Sequence, residues 1–106
     1  PNKQIMKNIK QMVRCAEKAG IEVVLCTILP TARYRWRPEI EPVESIRDMN
    51  RRIERFAKCR GRKFVDFYTP FAEADGSLPA KYSKDGVHPN SECYTIMESI
   101  LKEVLN

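Results

Sequence analysis

Ile21-Glu22-Val23-Val24-Leu25-Cys26-Thr27-Ile28-Leu29 is a nearly continuous apolar run rich in β-branched residues, and Pro30 stops it. A strand with one wet face would alternate apolar and polar side chains, whereas a strand covered on both faces of a parallel sheet reads as an unbroken run. Upstream, residues Asn2 to Ala19 place Ile5, Ile9, Met12, Val13 and Ala16 at helical spacing with lysines opposite, and Gly20 stands where such a helix would end. Downstream, Val43 to Lys58 repeats the helical pattern with Ile46, Met49, Ile53, Phe56 and Ala57. Lys63-Phe64-Val65-Asp66-Phe67 then reads as a second short strand. Strand, helix and strand in succession form a crossover unit, which joins parallel strands. The class is therefore α/β.

The remaining segments fit between these elements. Tyr68 to Ala74 has room for a short helix, and Asp75-Gly76 for a turn. Asn90 or Ser91 is placed to cap a last helix, with Tyr94, Met97, Ile100, Leu101, Val104 and Leu105 along its apolar face. Thr31 to Pro42 is a long loop at the carboxyl end of the first strand, where open α/β sheets place their ligand crevices. Trp36 could offer that crevice an apolar surface, and Arg33, Arg35 and Arg37 could meet anionic or sugar groups; a surface loop whose tryptophan covers a core edge is the plainer alternative. Asp66, near the end of the second strand, reads as local support for the chain that follows.

One further stretch bears on chemistry: Lys84-Asp85-Gly86-Val87-His88-Pro89-Asn90 holds the single histidine. A carboxylate that accepts from one ring nitrogen fixes the tautomer and leaves the other nitrogen free as a base. Gly86 permits a sharp turn between the two residues, and Pro89 keeps the following helix from running back into them. By spacing alone a turn-forming aspartate beside a surface histidine is the plainer reading, because D-x-x-H is short and frequent.

Asp85-Gly86-Val87-His88-Pro89 resembles the D-x-x-H-P block of the SGNH hydrolases, the GDSL esterase/lipase superfamily, and the order strand, strand, block, closing helix resembles them as well. The resemblance implies a flavodoxin-like, three-layer α/β/α fold with a parallel sheet. It implies that Asp85 orients the imidazole and that His88 is the general base of a Ser-His-Asp triad. It further implies hydrolysis of esters of small molecules, sugars or lipids, without metal or cofactor. The family's G-D-S and G-x-N-D blocks do not occur in these residues: none of Ser45, Ser77, Ser83, Ser91 and Ser99 follows Gly-Asp. The expectation is thus a single partial domain over residues 1–106, the C-terminal half of such a hydrolase, with catalytic residues Asp85 and His88, substrate-facing residues Arg35 and Trp36, and no hydrolysis by this half alone. A non-catalytic flavodoxin-like binding module is the alternative, with nucleic-acid binding a more distant one.

Composition bounds these readings. A 42% hydrophobic and 31% charged chain is that of an ordinary globular segment, which excludes a disordered tail. No apolar run approaches the roughly 20 residues of a membrane-spanning helix. Cys15, Cys26, Cys59 and Cys93 show no metal-ligand spacing and read as free thiols, Cys15 and Cys26 within apolar patterns and so expected to be buried. The net charge of +5 is distributed with Asp48 and Glu54 among Arg47, Arg51, Arg52 and Arg55, the pattern of a solvated helix face and not of a nucleic-acid stripe. Two strands cannot cover each other's edges and faces, so the sheet is expected to be completed by a missing N-terminal half or by a second copy. The first helix has no capping signal before Lys3, which predicts that the natural chain starts further upstream. Compartment is left open.

Overall fold

A computed structural model describes all of residues 1–106. Helix α1 (Asn2–Lys18), strand β1 (Val24–Cys26), helix α2 (Val43–Cys59), strand β2 (Lys63–Val65) and helix α3 (Ser91–Leu105) follow in order. The two strands are parallel, with Val24 opposite Lys63, Leu25 opposite Phe64 and Cys26 opposite Val65. α2 is the crossover between them. No helix is long and apolar enough to cross a membrane.

The layers follow from side-chain alternation. Leu25 and Phe64, neighbours in the register, belong to the core that β1 and β2 share with α1 and α2, together with Met6, Val13, Met49, Ile53 and Ala57. Cys26 and Val65, one residue further on, point to the opposite face. α3 packs against β2 and not against β1. Val65 is accordingly sealed, while Cys26 stays exposed. The result is three layers, helices on both faces of a small parallel sheet.

That arrangement corrects the reading of β1. The apolar run Ile21–Leu29 forms only a three-residue strand, and Ile21 and Ile28 are exposed. Only β2 pairs with it here, so the ladder is short on both. Past Cys26 the pairing continues through other groups. The Thr27 amide donates to the Val65 carbonyl at 3.1 Å, and the Phe67 amide donates to Thr27 Oγ1 at 2.8 Å. The buried Asn50 of α2 then acts as a substitute strand: its Oδ1 accepts from the Ile28 amide at 2.7 Å and its Nδ2 donates to the Ile28 carbonyl at 3.0 Å.

Helix boundaries agree with their signals. α1 ends in a Schellman arrangement, with Gly20 at φ 81°, its amide on the Glu17 carbonyl and the Ile21 amide on the Ala16 carbonyl. Met6 and Val13, seven residues apart, face α2; Ile5 and Met12, also seven apart, lie about 100° further round and are exposed, contrary to the expected stripe. On α3 the packed residues are Cys93, Ile96, Met97 and Ile100, with Phe71 and Leu78, while Tyr94 and Leu105 face outward. Tyr68 to Ala74 is not a helix. A single turn, in which the Tyr68 carbonyl accepts from Phe71 and Ala72, gives way to the Asp75-Gly76 turn. Asp75 accepts there from the Ser77 amide and hydroxyl, a local bond that competes with helix. All four cysteines are free, but Cys15 and Cys26 are exposed, on the outer side of α1 and the uncovered face of β1; Cys93 is the buried one.

Candidate active site

The loop from Lys81 to Asn90 is closed at its base by one side chain. Asn90 donates its backbone amide to the Tyr82 carbonyl at 2.8 Å and its Nδ2 to the Lys81 carbonyl at 2.9 Å. Its Oδ1 caps α3 by accepting from the Cys93 amide at 2.9 Å. The loop is therefore tied to a packed helix whose first turn carries the fully buried Cys93. Tyr82 braces it from beneath, its ring edge-on to Phe71 with centroids 5.1 Å apart.

Within the loop Asp85 holds two structures with its two oxygens. Oδ1 accepts from the amides of Val87 at 2.9 Å and His88 at 2.8 Å, which fixes the turn; Gly86, at φ 80°, supplies the left-handed backbone that turn requires. Oδ2 lies 2.6 Å from His88 Nδ1. The His88 amide, the His88 imidazole and the Val87 amide together hold the Asp85 carboxyl far below the usual carboxylate range. Asp85 is thus ionised, an acceptor only, and Nδ1 must carry the proton of this bond. Nε2 makes no hydrogen bond within the chain, on a side chain that is 74% exposed.

Ser83 and Thr31 are positioning residues that the sequence did not reveal. Ser83, 2% exposed, donates to the His88 carbonyl at 2.8 Å, accepts from the Gly86 amide at 2.9 Å and lies 3.1 Å from Asp85 Oδ1. Its hydroxyl is spent on the loop's own backbone, behind Asp85. Thr31, also buried, donates to the Gly86 carbonyl at 2.7 Å. That bond fastens the Thr31–Pro42 strap to the Asp85 turn. Only the short spacing from Ser83 to Asp85 hinted at either role.

The strap brings its aromatic tip to the histidine. Trp36, 59% exposed, lies with its ring centroid 6.3 Å from that of His88 and 5.4 Å from that of Tyr34, and Tyr34 and Arg37 form a bridge across the tip. Arg35 lines an open cleft of about 440 Å³ with Arg33, Leu78, Lys84 and Asp85. Arg37 is paired with Glu39 instead. Asp66 lies apart from this cleft and accepts from the amides of Tyr68 and Thr69, the local support its position suggested. Asp85, His88, Trp36 and Arg35 are therefore brought together, from two loops that meet only in the folded chain.

A sequence profile described as the GDSL-like lipase/acylhydrolase family matches residues 1–96. No curated protein sequence matches the chain. Among solved structures, a candidate acylhydrolase from Bacteroides fragilis is 34% identical with a TM-score of 0.96, over 100% of this chain and 52% of its own. A GDSL-like lipase from Bacteroides thetaiotaomicron is 37% identical with a TM-score of 0.93, over 97% of this chain and 51% of its own. A candidate lipolytic protein of the G-D-S-L family from Desulfitobacterium hafniense is 25% identical with a TM-score of 0.78, over 98% of this chain and 55% of its own. The chain spans about half the length of these structures. With its profile match and its fold both in place, the chain belongs to the GDSL-like lipase/acylhydrolase family.

Proposed function

We propose that residues 1–106 are the C-terminal half of a serine ester hydrolase and supply the Asp-His pair of its Ser-His-Asp triad. The observation that carries this reading is the 2.6 Å bond from His88 Nδ1 to an ionised Asp85 that is itself locked by backbone amides, with Nε2 left open. A surface histidine beside a turn-forming aspartate would need only the amide bonds. Here the second carboxylate oxygen is spent on the imidazole, which holds the ring in one tautomer and one orientation.

In the proposed reaction Nε2 removes the proton of a serine hydroxyl as that oxygen bonds to the acyl carbon. Asp85 stabilises the imidazolium that results. The Nε2 proton then passes to the departing alkoxide as the carbon–oxygen bond of the ester breaks. Water repeats the sequence on the acyl-serine: Nε2 takes a water proton as the water oxygen adds to the acyl carbon, and the proton passes to the serine oxygen as the acyl carbon–serine oxygen bond breaks and the carboxylic acid leaves. Residues 1–106 hold no Gly-Asp-Ser sequence, so the nucleophile and the oxyanion donors belong to the other half of the longer protein, which would also pair with the open edge of β1. Trp36 and Arg35 would face the substrate from the strap.

The test is hydrolysis of an activated ester by the full-length protein. His88→Ala should lower kcat by about 10⁶-fold, and Asp85→Asn by a smaller factor of about 10⁴. An unchanged rate in His88→Ala would sink the role given to His88.

A further inference from the structure

Arg33, Arg35 and Lys84 all line the cleft beside the Asp-His pair, two from the strap and one from the Asp85 loop. None of the three forms an ion pair with any carboxylate of the chain. Of the other sixteen lysines and arginines, eight are paired and eight are not; what sets these three apart is that they share the concave wall beside the Asp-His pair. Arg51 and Arg52 share Asp48, Arg47 has Glu44, Arg62 has Glu17, and Arg37 on the same strap has Glu39. The one carboxylate in the cleft wall, Asp85, has both oxygens committed to the turn and to His88. Asp75, beside cleft residue Ser77, is occupied by the Ser77 amide and hydroxyl.

Like charges on one concave wall repel each other and raise the local potential for an anion. The strap that carries two of them is not free to splay apart: the Thr31–Gly86 bond anchors its start, and the Tyr34–Arg37 bridge closes its tip. Arg35 lies between Tyr34 and Trp36 in sequence, and the Trp36 ring reaches His88. Asp85 both lines the positive cleft and holds the His88 ring, so the cleft adjoins the Asp-His pair on its Asp85 side.

Building on the ester-hydrolase reading above, we propose that the ester this site accepts carries a compact oxyanion, a carboxylate, sulfate or phosphate, bound by Arg33, Arg35 and Lys84. Guanidinium forks match such groups in geometry as well as in charge. Trp36 would cover the uncharged part of the same molecule.

The experiment uses the full-length protein and two matched pairs of esters. In one pair, the 4-nitrophenyl ester of glutarate and that of monomethyl glutarate, the charge sits on the acyl side. In the other, 4-carboxyphenyl acetate and its methyl ester, it sits on the alcohol side. The quantity read is the anionic-to-neutral ratio of kcat/KM. In at least one pair this ratio should fall about tenfold or more in the triple variant Arg33→Gln, Arg35→Gln, Lys84→Gln, and should fall in the wild type as ionic strength rises toward about 1 M. Arg35→Lys, which keeps the charge, should retain more of the ratio than Arg35→Gln. Ratios in both pairs that ignore substitution and salt would overturn this inference and leave the hydrolase reading intact. Failure of the wild type to cleave any of the four esters would overturn both.

Discussion

Asp85 couples the shape of its loop to the state of the imidazole, because one oxygen serves the backbone and the other the ring. Its folded pKa is depressed, so the bonds it makes are fully present above the ordinary aspartate value of about 3.9 and are lost as pH falls through the lower folded value. The Val87 and His88 amide resonances should accordingly keep their folded positions at about pH 5 and move only below about pH 4. Release of the loop already complete at about pH 5 would contradict this. Ser83 gives a second handle. Ser83→Ala leaves the part-buried His88 carbonyl and Gly86 amide without partners, which should cost about 1–3 kcal/mol in urea denaturation. A loss under about 0.5 kcal/mol would mean that water replaces the hydroxyl at no expense. The sequence displayed Asp85 and His88 because their chemistry is local, three residues apart on one turn. Thr31 and Ser83 stayed hidden because a hydroxyl becomes a positioning group only when a distant backbone arrives opposite it, as Gly86 does 55 residues after Thr31.

At the scale of elements, the crossover unit was readable because periodicity records which faces are buried. α2 and the strands it joins lie close to where their patterns put them. The extent of β1 was not readable from its apolar run. A run covered on both faces looks the same whether its neighbours lie in these 106 residues or beyond them, and here only the α1–α2 side is covered. The exposed Cys26 and Ile28 are the consequence. The buried face of α1 is hidden for a related reason: two apolar stripes run side by side, Ile5–Met12 and Met6–Val13, and only contact with α2 selects the second. Asn50 has no hydrophobic signature at all, yet it ends β1 by pairing with both backbone groups of Ile28. Asn50→Ala should destabilise the fold by about 2–4 kcal/mol, since two hydrogen bonds go and a part-buried amide and carbonyl are orphaned. Thermal unfolding of that variant would show it, and a melting temperature equal to the wild type's would argue that Ile28 has other partners.

For the whole molecule, the central issue is how half the length of a GDSL-like relative acquires a function. The 106 residues place an oriented imidazole, an ionised carboxylate, an aromatic strap and a positive cleft at one end of a small parallel sheet, and they leave one edge and one face of β1 open. In the proposed reading those would be the acid–base and substrate-facing parts of a hydrolase, with the nucleophile supplied across the open sheet. The most direct measurement is therefore reaction of the full-length protein with a fluorophosphonate, followed by peptide mass mapping, in the wild type and in His88→Ala. The expected result is one phosphonyl group on a single serine outside residues 1–106, with labelling abolished in His88→Ala. No labelling of the wild type, or labelling that is indifferent to His88, would contradict the account.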